Sequence, residues 1–214
     1  MDQNEITRRC GKLSLSEENG PIAKIDSDLH EKGLKCVVRS LIGIIMENKE
    51  VNREAFKSMI PKIWRTMKEV DVELVGPNTF VFRFRYLWDR KRVLDGGPWS
   101  FDKQLIILKE VPGVGRIEEV DFRIFPFWIQ IYNLPLSCMS REIVIFLGGQ
   151  IGEVKEIDSR PNGDCLGKFL RVRVMVGTLA PLKRGLRIAL GGCGDVDSIL
   201  LCYERLPNFC YCCG

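Results

Sequence analysis

Two stretches of the chain carry nearly the same order of predicted secondary structure. Residues 35–111 predict a strand, a helix, a hairpin, a short second helix and a last strand, in the order βαββαβ. A short linker at residues 112–120 follows. Residues 121–206 then repeat the order without a clear second helix, since residues 181–190 are typical of strand or loop. Repetition of this kind predicts two small α+β sandwiches, each with one face of its sheet free.

Capping residues indicate where the main helices begin. Asn52 is predicted to cap a helix that runs to Lys68, and Pro61 within it predicts a kink. Ser140 is predicted to cap the corresponding helix of the second stretch, which ends at a glycine pair. Residues 1–33 are polar, with few large apolar groups, and predict a flexible arm.

Alternating residues assign faces to two of the strands. Phe80, Phe82 and Phe84 alternate with Val81, Arg83 and Arg85, so the rings are predicted on one face and the guanidinium groups on the other. The matching strand of the second stretch alternates in the same way, through Leu170, Arg171, Val172, Arg173 and Val174. Arginines are therefore predicted on the free face of each sheet.

The two predicted modules resemble RNA-recognition motifs. Residues 129–134 match the first-strand signature of that family, except that Gln130 replaces its stacking aromatic ring. Residues 167–169, Gly-Lys-Phe, resemble the start of its second signature, after which Arg171 and Arg173 replace rings on the open face. This pattern predicts contact with a nucleic-acid backbone more than stacking on bases. The alternative is that these arginines only keep the surface soluble.

Charge is segregated although the total is nearly balanced. The chain has 32 Lys and Arg against 28 Asp and Glu, a net charge of +4. Residues 168–187 contain no acid, and residues 83–92 contain a single one, so basic patches are expected. The residues predicted to bind nucleic acid are Lys168, Arg171, Arg173, Lys183 and Arg184, helped by Tyr132, Arg83 and Arg85.

Nine cysteines do not indicate a disulfide scaffold here. Their number is odd and the first residues have no secretory pattern, so we expect reduced thiols in the nucleus or cytoplasm. No apolar stretch is long enough to predict a membrane span. Cys210 and Cys213 form a C-x-x-C pair, which can aim two thiolates at one metal ion. The only histidine, His30, is far away in the sequence, so the pair represents either an incomplete metal site or two unpaired thiols.

Longer motifs resemble one plant family. Residues 94–101, with a Gly-Pro-Trp box, are similar to the plant DUF4283 family, and residues 203–214, Tyr-Glu-Arg-Leu-Pro followed by cysteines, resemble the approach to its zinc knuckle. Such proteins are similar to gag-like first-frame products of plant non-LTR retrotransposons. The resemblance implies binding of single-stranded RNA or DNA. The family knuckle is C-x2-C-x4-H-x4-C, of which Cys210 and Cys213 match only the first two ligands. No bound cofactor is expected, and zinc only if the knuckle were completed.

No set of residues predicts catalysis. The acids are scattered, and no Cys-His or Ser-His pair is indicated, so we expect a non-enzymatic protein with no small-molecule substrate and no membrane contact. The tryptophans, including Trp88, lie in apolar runs and are predicted to be core residues. The leading prediction is a nucleic-acid-binding protein. A protein-interaction or self-association module and a degenerate product without function remain the alternatives. The predicted segments are an arm at 1–33, modules at 34–111 and 121–206, the linker at 112–120 and a truncated knuckle at 207–214.

Overall fold

The computed structural model describes residues 22–47, 49–113, 115–159, 165, 167–189 and 196–206. The described residues from Leu34 onwards form one compact unit. A first helix, α1 (Ser27–Val38), lies where the sequence predicts the end of the arm and the start of a strand. Asp28 in its first turn and Lys35 in its last complement the helix dipole.

The first module has the strand order of an RNA-recognition motif. Its sheet runs β2-β3-β1-β5-β4 with antiparallel pairing throughout, so the first strand is central and the last lies beside it. The short strand β4, which the sequence analysis did not predict, forms a hairpin with β5 at the edge. The elements are β1 (Ser40–Ile45), α2 (Arg53–Trp64), β2 (Asp71–Gly76), β3 (Thr79–Arg83), α3 (Leu87–Asp95), β4 (Trp99–Phe101) and β5 (Gln104–Glu110).

Helix α2 begins as predicted but ends four residues early. The Asn52 side chain accepts a hydrogen bond from the backbone N–H of Ala55 at 3.1 Å, which confirms the cap. The helix stops at Trp64 because Arg65 adopts a left-handed conformation, with φ 49°. The carbonyl oxygens at this end accept hydrogen bonds from the guanidinium group of Arg92 on α3.

The second module repeats the first, with a strand in place of one helix. Its sheet order is β7-β8-β6-β10-β9, the same as in the first module, with β9 at the position of β4. Residues 178–184, all of them described, connect β8 to β9 without a helix. The fold is therefore α+β, with two RRM-like modules of which the second is degenerate, as predicted. Its elements are β6 (Ile124–Tyr132), α4 (Arg141–Gly149), β7 (Val154–Ile157), β8 (Leu170–Gly177), β9 (Gly185–Ala189) and β10 (Val196–Tyr203).

The side-chain parity predicted for both modules is confirmed. Phe80, Phe82 and Phe84 belong to a core with Phe56 and Trp64 of α2. In the second module the alternating apolar residues of β8 pack in a core with β6 and α4. The members contributed by β8 are Leu170, Val172, Val174 and Val176.

The prediction that each sheet keeps a free face is wrong for the first module. The face turned away from its helices carries Ile42, Val81 and Ile107, which are 0%, 7% and 1% exposed. Ile107 is part of the second module's core cluster, and Ile44 and Leu105 pack against that cluster. A sheet that is apolar on both faces has to be covered on both faces. The two modules therefore share buried surface.

Candidate nucleic-acid interface

Arg171 lies on the open face of the second sheet, as predicted, but it is engaged within the protein. Its guanidinium group stacks on the ring of Trp128, 3.8 Å from the centroid. Two of its nitrogens donate to the Glu204 carboxylate at 2.7 and 2.9 Å, and a third donates to Asp158 at 3.1 Å. Gln130 also donates to Glu204, at 2.8 Å. The positive charge at this position is balanced by acids from two other segments.

The same contact shifts two pKa values in opposite directions. The hydrogen bonds from Arg171 hold the pKa of Glu204 below its ordinary value, and the donation from Gln130 acts in the same direction against partial burial. The hydrogen bond with Glu204 raises the pKa of Arg171. Both groups are therefore charged over the whole neutral range.

Arg173 is more deeply buried and faces the first module. Its side chain is 10% exposed and lies 3.6 Å from Glu156 and 4.0 Å from Asp95 of α3. Its Nη2 donates to the backbone carbonyl of Leu94 at 3.4 Å. Its Nε has no hydrogen-bond partner among the described residues. Arg173 thus joins the second sheet to the end of α3, and its guanidinium group is turned away from solvent.

The Gly-Pro-Trp box forms the other side of this contact. Arg205 places its guanidinium carbon 4.3 Å from the centroid of the Trp99 ring and donates a hydrogen bond to the carbonyl of Gly96. The Trp99 indole N–H donates to Val93 at 2.8 Å, which fixes the ring against α3. The peptide bond between Gly97 and Pro98 is cis. One end of the second sheet's open face is therefore covered by the first module.

The opposite end of that face carries an aromatic pair. The rings of Tyr132 and Phe169 have centroids 5.1 Å apart, and the Tyr132 hydroxyl donates to Gln130 at 2.6 Å. Lys168, next to Phe169, is exposed and forms no ion pair among the described residues. Because β6 lies between β8 and β10, the pairing of Tyr132 with Leu200 continues this surface towards β9.

Basic residues on and before β9 extend the surface. Leu200 pairs with Gly185, and Arg187, two residues further along β9, is exposed on the same face. Lys183 and Arg184 are exposed just before the strand, and Lys183 donates to the carbonyl of Gln150. We call Lys168, Phe169, Tyr132, Lys183 and Arg187 the free end of the second sheet.

The remaining predicted residues lie on the other module. Arg83 is on β3 and pairs with Glu73 at 2.9 Å, and Arg85 is exposed just beyond the strand. The structure therefore does not gather the eight predicted residues on one sheet face. Phe169 was missed as a site residue, although its odd position in the alternating strand places it on the same face as Arg171.

The described residues contain neither a metal-binding cluster nor a helix that could span a membrane. Among them, no three His, Cys, Asp or Glu side chains are grouped so as to hold a metal ion. Cys210 and Cys213 lie outside the described residues. No helix in the described part of the chain combines the length and apolarity needed to cross a membrane.

Comparison with protein families gives a match in the first module. Residues 35–112 match the family described as a domain of unknown function, DUF4283, which confirms that part of the resemblance. No curated protein matches the chain.

Several solved structures are similar at low levels. The Caenorhabditis elegans NONO-1 homodimer has 10% identity and a TM-score of 0.28, covering 64% of this chain and 50% of its own. RNA-recognition domains 1 and 2 of Drosophila melanogaster Sex-lethal have 12% identity and a TM-score of 0.28. The similarity covers 64% of this chain and 85% of the Sex-lethal chain. The three N-terminal RNA-binding domains of the yeast splicing factor Prp24 have 12% identity and a TM-score of 0.28. The similarity covers 67% of this chain and 56% of the Prp24 chain.

Proposed function

We propose that the chain binds single-stranded RNA or DNA, without catalysis, at the free end of the second sheet. The observation that carries the proposal is the Tyr132–Phe169 ring pair, 5.1 Å between centroids, beside the exposed Lys168. Unpaired bases stack on aromatic rings of this kind while neighbouring cations contact the phosphates. The bases of a duplex are already stacked, so this surface favours a single strand.

The cations that support this proposal are those left exposed by the module contact. Lys183 and Arg187 would take phosphates on the β9 side and Lys168 on the β8 side. Arg171 and Arg173 would act indirectly, because their guanidinium groups are held by carboxylates and by Trp128. Binding of this type is expected to be weak in sequence preference and strongly dependent on salt.

The test compares two matched pairs of lysines by fluorescence anisotropy with a short labelled oligouridylate. Lys168→Ala with Lys183→Ala should weaken binding and reduce the slope of log K against log salt by about 1.4, since each phosphate contact contributes about 0.7 for a single strand. Lys57→Ala with Lys62→Ala, which removes the same charge from the exposed side of α2, should change neither quantity much. No binding by the parent at low salt, or equal losses in both variants, would contradict the proposal.

The origin of the chain is a second part of the proposal. We infer descent from a gag-like retrotransposon protein of plants, supported by the resemblance of residues 94–101 and 203–214 and by the family match over residues 35–112. Free thiols at Cys36, Cys138 and Cys202 are compatible with the proposed location in the nucleus or cytoplasm. Flanking genomic DNA should contain reverse-transcriptase remnants or related copies, and a gene without either would count against descent.

Self-association is the alternative that one observation favours. Helix α4 exposes 46% of Ile145 and 62% of Phe146, and the nearby Leu136 is 74% exposed. Light scattering coupled to size-exclusion chromatography would detect a dimer. If α4 forms the interface, Phe146→Ala should shift the protein from dimer to monomer. A monomeric parent at all accessible concentrations would remove this alternative.

A further inference from the structure

A second aromatic pair is exposed on the first module, at the start of α3. The rings of Tyr86 and Trp88 are stacked, with centroids 5.8 Å apart and an interplanar angle of 19°. Tyr86 is 38% exposed and Trp88 50% exposed. The sequence predicts Trp88 as a core residue, and this prediction is wrong.

The rotation of α3 explains why Trp88 faces outward. The buried residues of this helix are Asp89 and Val93, four positions apart. The Asp89 carboxylate accepts the backbone N–H of Met67 at 3.1 Å and a guanidinium hydrogen of Arg92 at 2.8 Å. These contacts fix Asp89 on the inner face, so the preceding residue, Trp88, is directed to solvent.

The chain segment that carries the ring pair is basic. Arg85 precedes Tyr86, and Lys91 lies three residues after Trp88, which places it on the adjoining turn of the helix. Both are exposed and form no ion pair among the described residues. Asp89 is the only acid between residues 83 and 94, and it is 2% exposed. The charge that this segment shows to solvent is therefore positive.

We propose that this surface is a second binding site for single-stranded nucleic acid, in which an unpaired base stacks on the Tyr86–Trp88 pair and Arg85 and Lys91 contact its phosphates. Flat rings next to unpaired cations suit a base with its phosphate better than an apolar protein surface, which would have to desolvate both cations. The site takes its ligand class from the proposed function but rests on its own residues. The site is formed by residues that precede and begin α3, and none of them belongs to the free end of the second sheet, where the proposed function is placed.

The experiment measures binding of a labelled oligothymidylate to four proteins. They are the parent, Tyr86→Ala with Trp88→Ala, Lys168→Ala with Lys183→Ala, and the combination of all four changes. The ring variant should bind about tenfold more weakly, since base stacking on one aromatic side chain contributes on the order of 1–3 kcal/mol. Because Tyr86 and Trp88 are exposed, its thermal unfolding should stay close to that of the parent.

The outcomes separate the two proposals. A loss only in the lysine variant overturns this second site and leaves the proposed function standing. A loss of affinity only in the ring variant overturns the proposal that nucleic acid binds at the free end of the second sheet, and it supports this second site. No binding by the parent overturns both.

Two controls test stacking itself. Phe146→Ala removes a ring that is 62% exposed but lacks flanking cations, and it should bind like the parent. Trp88→Phe keeps an aromatic face and should recover most of the affinity lost in Trp88→Ala. Equal losses in Phe146→Ala and Trp88→Ala, or a parent whose self-association depends on Trp88, would show a general apolar or protein-binding surface and overturn the proposal.

Discussion

Arg205 of the second module lies over the indole ring of Trp99 in the first, with 4.3 Å between its guanidinium carbon and the ring centroid. Trp99 belongs to the Gly-Pro-Trp box and Arg205 to the Tyr-Glu-Arg-Leu-Pro run, the two motifs that carry the family resemblance. The two motifs meet at the contact between the modules. Trp99 and Arg205 therefore contribute to the packing of one module on the other.

Arg205→Ala should loosen this contact. The loss of the cation–π interaction and of the hydrogen bond to Gly96 is expected to lower the free energy of unfolding by about 1–2 kcal/mol. Urea denaturation followed by circular dichroism would measure the shift. Arg187→Ala, which removes an exposed arginine without an ion pair among the described residues, is the control and should shift it by less than about 0.5 kcal/mol.

Arg171 and Glu204 should be coupled in a double-mutant cycle. Arg171→Ala leaves the half-buried Glu204 carboxylate without its main partner, so it should destabilise by about 1–2 kcal/mol. Adding Glu204→Ala should cost less than the sum of the single changes, with an interaction energy of at least about 0.5 kcal/mol. Additive effects would mean that the pair contributes nothing measurable.

Stability should fall in acid through Glu204. Its pKa in the folded protein is below the ordinary value of 4.5, so the unfolded chain binds the proton more readily. The stability that the ion pair contributes is fully present above pH 4.5 and is lost as the pH falls through the lowered pKa. Midpoints of thermal unfolding should drop less in Glu204→Gln than in the parent over this acidic range. Glu118→Gln, at an exposed position, should follow the parent curve.

Ile107→Ala should destabilise both modules together. The side chain is 1% exposed and packs in the core of the second module although it belongs to β5 of the first. A cost of about 2–4 kcal/mol is expected for the cavity. Hydrogen exchange should increase in β6 as well as in β5. An increase confined to β5 would show that the cores are independent, and Ile145→Ala, on the exposed side of α4, should affect neither.

The sequence allowed the strands and their faces to be predicted, because period-two alternation is a local property. The alternation of β8 side chains between the two faces, with Val172 inward and Arg171 outward, follows directly from this property. The partners of Arg171 and Arg173 could not be predicted in this way. Glu204 lies 33 residues after Arg171 along the chain, and Asp95 belongs to the first module whereas Arg173 belongs to the second. Ion pairs between distant segments leave no periodic signal.

Two of the predictions are wrong although the sequence carries a local signal for the observed structure. The runs Ser-Leu-Ile-Gly-Ile-Ile in β1 and Gln-Leu-Ile-Ile-Leu in β5 are apolar at consecutive positions, which is typical of strands covered on both faces. This pattern would have predicted that the first sheet is not free. For Trp88, the residues three and four positions later are Lys91 and Arg92, so its helical neighbours are charged and an exposed position was the better prediction.

Because Ile107 packs in the core of the second module, the boundary of the family match can be compared with the boundary of the hydrophobic core. The family match ends at residue 112, just after β5, yet the side chains of β5 are buried partly by a segment beyond that limit. The recurring sequence unit and the hydrophobic core thus have different borders in this protein. A fragment cut at residue 112 would expose the apolar face of the first sheet to water, and we expect it to aggregate or to self-associate through that face.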